Sequence, residues 1–195
     1  MMLKNDLWLR EHGDEILRPY HAISVKRESR GKSLTEAPAR VISYGTSSFG
    51  YDIRVADEWQ VFDPNVQGSN IVDPKDFNPK LVREFKGDVC ILPPHGFVLC
   101  RSLEYVTMPR DCLGICMGKS TYARCGLVVN ITPLEPEWEG HITIEISNTT
   151  PLPVKVYANE GIAQLIFLQG QQPAISYKDR DGKYLGQTGI TQPKV

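Results

Sequence analysis

Between Trp59 and Leu168 the apolar residues come in short runs cut by proline and glycine. Trp59-Gln60-Val61-Phe62 stops at Asp63-Pro64, Val89-Cys90-Ile91-Leu92 stops at Pro93-Pro94, and Phe97-Val98-Leu99-Cys100 follows Gly96. Leu127-Val128-Val129, Ile142 to Ile146, Val154-Lys155-Val156-Tyr157 and Ile162 to Leu168 continue the series. Runs this short, bounded by turn residues, predict the strands of an all-β sandwich or barrel-like domain. No long stretch of 3.6-residue period competes with that reading. In His141-Ile142-Thr143-Ile144-Glu145-Ile146 the alternation is strict. Period-two geometry puts the three isoleucines on one face and Thr143 with Glu145 on the other.

The flanks are less regular. Residues 4–12 fit a short helix with Leu3, Leu7 and Trp8 on one face and Asn5 or Asp6 as its cap. The polar, basic stretch 25–40 has no period and reads as a loop carrying Lys26, Arg27, Arg30 and Lys32. Tyr44 to Arg54 starts turn-rich and then becomes a strand; its glycines beside small hydroxyls permit close approach by a backbone or a ligand. The end of the chain, 176–195, has little apolar content. It is either a frayed terminus or a lid that orders over a ligand; two tyrosines and a Gln among its glycines tilt the reading to a mobile lid.

Composition narrows the class. The chain has 195 residues and 41% hydrophobic content, which suits one domain over 1–195 with a real core. Lys+Arg 22 against Asp+Glu 23 leaves no basic field for holding long nucleic acid. A small phosphorylated ligand held by a few local cations fits better. No signal peptide and no membrane-length apolar run are present. Five cysteines, an odd number, point to reduced thiols and a cytoplasmic location.

Three chemistries fail on spacing. Gly118-Lys119-Ser120 hints at a phosphate-binding P-loop, but Leu113 stands where the first glycine is needed, and the residues after Cys125-Gly126 are strand-like where a P-loop opens a helix. Cys112 and Cys116 alternate with Leu113 and Ile115 like buried strand residues, and neither His-x-Glu nor Pro-Cys-x-x-Cys occurs, so the zinc nucleobase-deaminase pattern is missing. No Gly-x-Ser-x-Gly elbow marks a serine hydrolase.

What remains lies between Met117 and Ile146. Lys119, Ser120 and Arg124 fall on a short Gly-bounded segment and offer a point charge, a hydroxyl and a forked guanidinium, an anion-binding set. Glu145 either meets water on a surface strand or points into a cleft. In a cleft, desolvation would raise its pKa into the range useful for proton transfer near neutrality.

At these residues the chain resembles the dCTP deaminase family of the trimeric dUTPase-like superfamily. The resemblance rests on Ser43 to Arg54, Gly87-Asp88-Val89-Cys90-Ile91-Leu92-Pro93-Pro94, Gly118 to Gly126, Glu135-Pro136-Glu137-Trp138-Glu139-Gly140, Asn148 to Pro153, and Gly182 to Gln187. It implies a dUTPase-like β-clip, or distorted β-barrel, and zinc-independent hydrolysis of dCTP to dUTP and ammonia. It also implies a homotrimer with sites between subunits, Mg2+ bound through the triphosphate, and dTTP as an inhibitor. Carried over by motif, Glu145 is the catalytic acid/base, assisted by Ser120 and Arg124. The resemblance makes Lys119, Ser120, Thr121, Tyr122, Ala123 and Arg124 the nucleotide-binding loop. Thr143 and Ile144 then line the base and sugar pocket, Glu135 meets the deoxyribose, and Gln164, Tyr177, Lys183 and Gln187 contact base or phosphates. Three departures stand out: Lys119 replaces a frequent Arg, Thr132-Pro133-Leu134 replaces a turn with a His-Arg pair, and Glu135-Pro136-Glu137-Trp138 replaces Asp-Pro-Gly-Trp. Two alternatives stay open, a bifunctional deaminase–diphosphatase releasing dUMP and a non-catalytic nucleotide-binding β-module.

Overall fold

The alternation becomes a strand-dominated architecture. The computed structural model describes residues 2–28, 39–65 and 71–195. In chain order the elements are β1 (Met2–Leu3), α1 (Asp6–Ile16), β2 (Leu17–Arg18), β3 (Val25–Glu28), β4 (Ala39–Thr46), β5 (Tyr51–Phe62), β6 (Val82–Lys86) and β7 (Val89–Leu92). Then follow β8 (Phe97–Thr107), β9 (Cys112–Gly118), α2 (Ser120–Ala123), β10 (Leu127–Asn130), β11 (Glu139–Asn148), β12 (Val154–Tyr157) and β13 (Gly161–Gln169). The main sheet runs β1-β13-β5-β8-β11-β10, with β7 and β12 paired apart from it.

The long strand β5 is the corner of the fold. Its first residues, Tyr51 to Arg54, pair with β13, while Val55 to Val61 pair with β8 across a register shift between Val55 and Trp59. Irregularities of this kind re-aim a strand and let one sheet turn into another. The core lies inside that turn. Ile142, Ile144 and Ile146 are at most 2% exposed and pack with Trp59, Tyr51 and Phe167, as the period of two requires.

A buried ion pair ties the corner to its neighbour. Arg54 Nε donates to Glu104 Oε1 at 2.7 Å, and the Arg54 amide donates to Oε2 at 2.8 Å. The guanidinium also lies 4.5 Å from the centre of the Tyr44 ring. Gly50 earns its place nearby: its φ is +94°, and a methyl there would sit 2.3 Å from the Leu165 carbonyl oxygen. Only glycine tolerates both conditions, so the close approach expected of this turn is made by backbone.

Two expectations need correction. The helix is Asp6–Ile16, capped by the Asn5 side chain accepting from the Trp8 amide at 3.2 Å. Its buried face is Leu9, Gly13 and Ile16, while Leu7 is 63% exposed. The extra turn carries Ile16 into the core, and Gly13 lets the helix lie close against the Tyr20 ring. The loop expected over 25–40 is instead partly a hairpin, since β3 and β4 pair through Val25↔Tyr44 and Glu28↔Ala39. Its order comes from cross-strand bonding, which leaves no apolar period to read. Positions 29–38, with Arg30 and Lys32, lie outside the described residues. No described helix is long and apolar enough to cross a membrane.

Candidate active site

Strand β11 turns Thr143 and Glu145 into a cleft of about 590 Å³. One wall is apolar, with Phe62, Phe77, Phe97 and Leu99; the other carries Glu135, Trp138, Tyr177, Tyr184 and Gln187. Burial pushes the Glu145 carboxyl up to about 7, against the opposing hydrogen bond from Asn130. That bond runs from Asn130 Nδ2 to Glu145 Oε2 at 3.2 Å. Among the described residues no cation is hydrogen-bonded to this carboxylate, so desolvation dominates.

The chain's own C-terminal segment covers the cleft. The Tyr177 amide donates to the Pro136 carbonyl at 3.0 Å, and Trp138 Nε1 donates to the Tyr184 carbonyl at 3.0 Å. Gly186 N–H reaches the Glu139 carbonyl and His141 N–H the Gln187 carbonyl, each at 2.8 Å. Thr143 Oγ1 accepts from the Thr191 amide at 3.2 Å and lies 3.4 Å from Gln187 Oε1. Arginines fasten the crossing: Arg180 pairs with Glu135, and Arg110 pairs with Glu137 at 2.5 Å and Asp179 at 2.7 Å. Lys183 Nζ donates to the Lys194 carbonyl at 2.6 Å.

The turn beneath this segment departs from glycine at a telling place. Pro136 and Glu137 are its central residues, the Trp138 amide closes on the Glu135 carbonyl at 3.0 Å, and Glu137 has φ +63°. Such a turn prefers glycine at its third position, and the Arg110 pair holds Glu137 in that conformation instead.

The remaining expected residues gather elsewhere. Lys119 Nζ donates to Asp52 Oδ2 at 2.5 Å, with both side chains 12% exposed. Gln164, opposite Asp52 across the β13–β5 ladder, donates from Nε2 to Ser47 Oγ and the Phe49 carbonyl, each at 2.9 Å. Arg124 is exposed and its Nη1 donates to the Ser120 carbonyl at 3.1 Å. Tyr122 is buried, its hydroxyl accepting from the Tyr157 amide at 3.0 Å. Ala123 gives its amide to the Lys119 carbonyl, and Thr121 lines a second cavity with Lys26, Ser43 and Glu160.

None of Lys119 to Arg124 lines the Glu145 cleft. The strand period explains why. Gly118 lies against the Val129 side chain, where an added methyl would come within 3.1 Å of Cβ. Val129 alternates with Asn130, so the segment packs on the face of β10 opposite the one that meets Glu145. The expected site is thus divided within the chain: Glu135, Thr143, Glu145, Tyr177 and Gln187 on one side, Lys119 to Arg124 with Gln164 on the other. Lys183 belongs to the tail crossing the first half. Ile144 turns its side chain to the core and offers that half only backbone.

Asn130, Asp52, Trp138 and Thr191 were not among the expected site residues. Trp138 and Asp52 stood in quoted motifs with no site role read for either. Asn130 was not legible, because its pairing with Glu145 depends on the β10–β11 register across an eight-residue connection.

The fold is all-β, of the class seen in a solved nucleotide deaminase. A solved 2'-deoxycytidine 5'-triphosphate deaminase from Agrobacterium tumefaciens superposes on 86% of this chain and 48% of its own, with a TM-score of 0.56 at 14% identity. Residues 25–170 match the dCTP deaminase-like family. Over the whole of both chains the sequence is 56% identical to a dCTP deaminase of Ectopseudomonas mendocina and 55% identical to one of Pseudomonas fluorescens. The chain belongs to the dCTP deaminase-like family.

Proposed function

We propose that this chain hydrolyses dCTP to dUTP and ammonia, with Glu145 carrying the protons. The observation that carries the reading is a carboxyl group on the cleft face of β11, raised by burial to about 7. At that value one group serves as base and acid near neutrality. Glu145 takes a proton from water as the oxygen attacks C4 of cytosine, and delivers it to N3. The new C4 hydroxyl then gives its proton through Glu145 to the amine, the C4–N bond breaks, and ammonia leaves a uracil carbonyl behind. Full-length likeness to dCTP deaminases supports the substrate.

The divided site supports a homotrimer in which a second copy brings Lys119, Ser120, Thr121 and Arg124, with Gln164, to the Glu145 cleft. Ser120 and Arg124 then assist Glu145, while Thr143, Glu135, Tyr177, Lys183 and Gln187 hold base, sugar and phosphates. Glu135 and Asp179 are already paired with arginines, which fits Mg2+ arriving on the triphosphate rather than in a protein cage. Bound there, it neutralises phosphate charge. dTTP, with a pyrimidine of similar size, competes for the same cleft. The five free thiols suit a cytoplasmic enzyme.

Two measurements test this. Incubation with dCTP and Mg2+ is expected to yield dUTP and ammonia; dUMP with pyrophosphate would show the bifunctional reaction, and binding without turnover a nucleotide-binding module. Shared sites also predict complementation. Arg124→Ala and Glu145→Gln are each expected to be inactive alone, and co-refolding them in equal amounts to restore about a quarter of the sites. Recovery of no activity would place each site within one chain.

A further inference from the structure

We infer that Asn130 is a positioning residue for the reaction: its amide holds Oε2 of Glu145, so that Oε1 is the oxygen presented to water and base. The inference rests on Glu145 being the proton carrier.

The geometry is a cross-strand pair. Asn130 is the last residue of β10, directly opposite Glu145 in the β10–β11 register, and opposed side chains on one face of a ladder reach each other. Glu145's other ladder neighbour, Leu99 on β8, is apolar. The buried Cys100 thiol beside Leu99 is near enough to feel the Glu145 charge and donates to the Ile144 carbonyl at 3.4 Å, and other charged and polar groups around the cleft are engaged as follows. On β11, His141 Nδ1 lies 3.0 Å from the Ser102 carbonyl and 3.4 Å from Arg101 Nη1, while Arg101 itself binds Glu58 at 2.7 Å. From the turn, Glu135 is paired with Arg180; from the tail, Tyr177 hydroxyl accepts from the Tyr184 amide at 3.1 Å and Lys183 reaches the Lys194 carbonyl. Among the described residues of one chain the Asn130 amide is the side chain bonded to Glu145, and it marks Oε2 off from Oε1; Ser120 and Arg124 of a second copy would meet the side left open.

The chemistry favours a neutral donor in this place. A lysine or arginine bonded to Oε2 in place of Asn130 would hold the carboxyl ionised below neutrality and suppress the acid needed to protonate N3 and the amine; Arg124 of the second copy is assigned instead to the water and substrate side of Glu145. A second carboxylate would keep Glu145 protonated and suppress the base. An amide donates to Oε2 in both states, because that oxygen remains an acceptor after Oε1 gains its proton. It favours the ionised form by less than burial disfavours it.

The test is the pH dependence of kcat/KM for dCTP in the wild type, Asn130→Ala, Asn130→Asp and Glu145→Gln. Asn130 is exposed, so its variants are expected to fold. Removing the donor should move the acid limb of Asn130→Ala upward by about half to one pH unit and lower kcat about tenfold, with KM little changed. Asn130→Asp should move the limb further the same way. An Asn130→Ala limb coinciding with that of the wild type, alongside an inactive Glu145→Gln, would overturn the positioning role alone. An active Glu145→Gln would remove the reading on which it stands.

Discussion

Glu145→Gln is expected to bind dCTP and release almost no ammonia. Gln keeps the shape and loses the proton, so the loss falls on kcat by the ~10²–10⁴ that general acid–base catalysis supplies, or more because one group serves several transfers. Isothermal titration with dCTP beside an ammonia assay separates binding from turnover; normal turnover would eliminate the mechanism. The same substitution should alter stability in a pH-dependent way. The folded-state pKa of Glu145, about 7, lies above its ordinary value of 4.5. The wild type therefore has its full stability from this group below about pH 4.5, loses it as the pH rises towards 7, and is level above that. Since the side chain is partly exposed, the difference is about 1 kcal/mol after screening. Glu145→Gln should thus be the more stable protein at pH 8 and no more stable at pH 4, as read from urea midpoints.

Glu104→Ala is expected to have the largest effect on folding. Glu104 is 0% exposed and holds both the side chain and the amide of Arg54. Removing one member of a buried pair leaves an uncompensated charge and costs about 3–5 kcal/mol. For a chain of this size that is a fall in Tm of roughly 10 °C. Replacing both residues with apolar ones of similar volume should recover most of the loss. A single variant melting with the wild type would show that water or another group has taken over the Arg54 charge.

The strands that were legible were those with one face in the core. The isoleucines of β11 alternate because burial on one side leaves no other arrangement, and Glu145 was placed on the opposite face by the same rule. Hairpin β3–β4 was not legible, since its order comes from backbone bonding between polar residues. The cleft was only half legible. Motif and resemblance named residues on both sides of β10, but sequence spacing carries no information on which face of a strand a distant loop packs against. Gly118 against Val129 decides that, and it depends on contacts formed after folding. The engagement of Lys119 by Asp52, a residue 67 positions away, was hidden for the same reason.

The tail that roofs the cleft also covers a strand edge. Over Glu139 to His141, β11 bonds to β8 on one side, and on the other its carbonyl and amide are taken by Gly186 and Gln187. Removing the tail would bare a length of unpaired strand, the kind of edge to which a foreign chain adds. Variants truncated before Gly186 would therefore carry a greater tendency to self-associate through this edge.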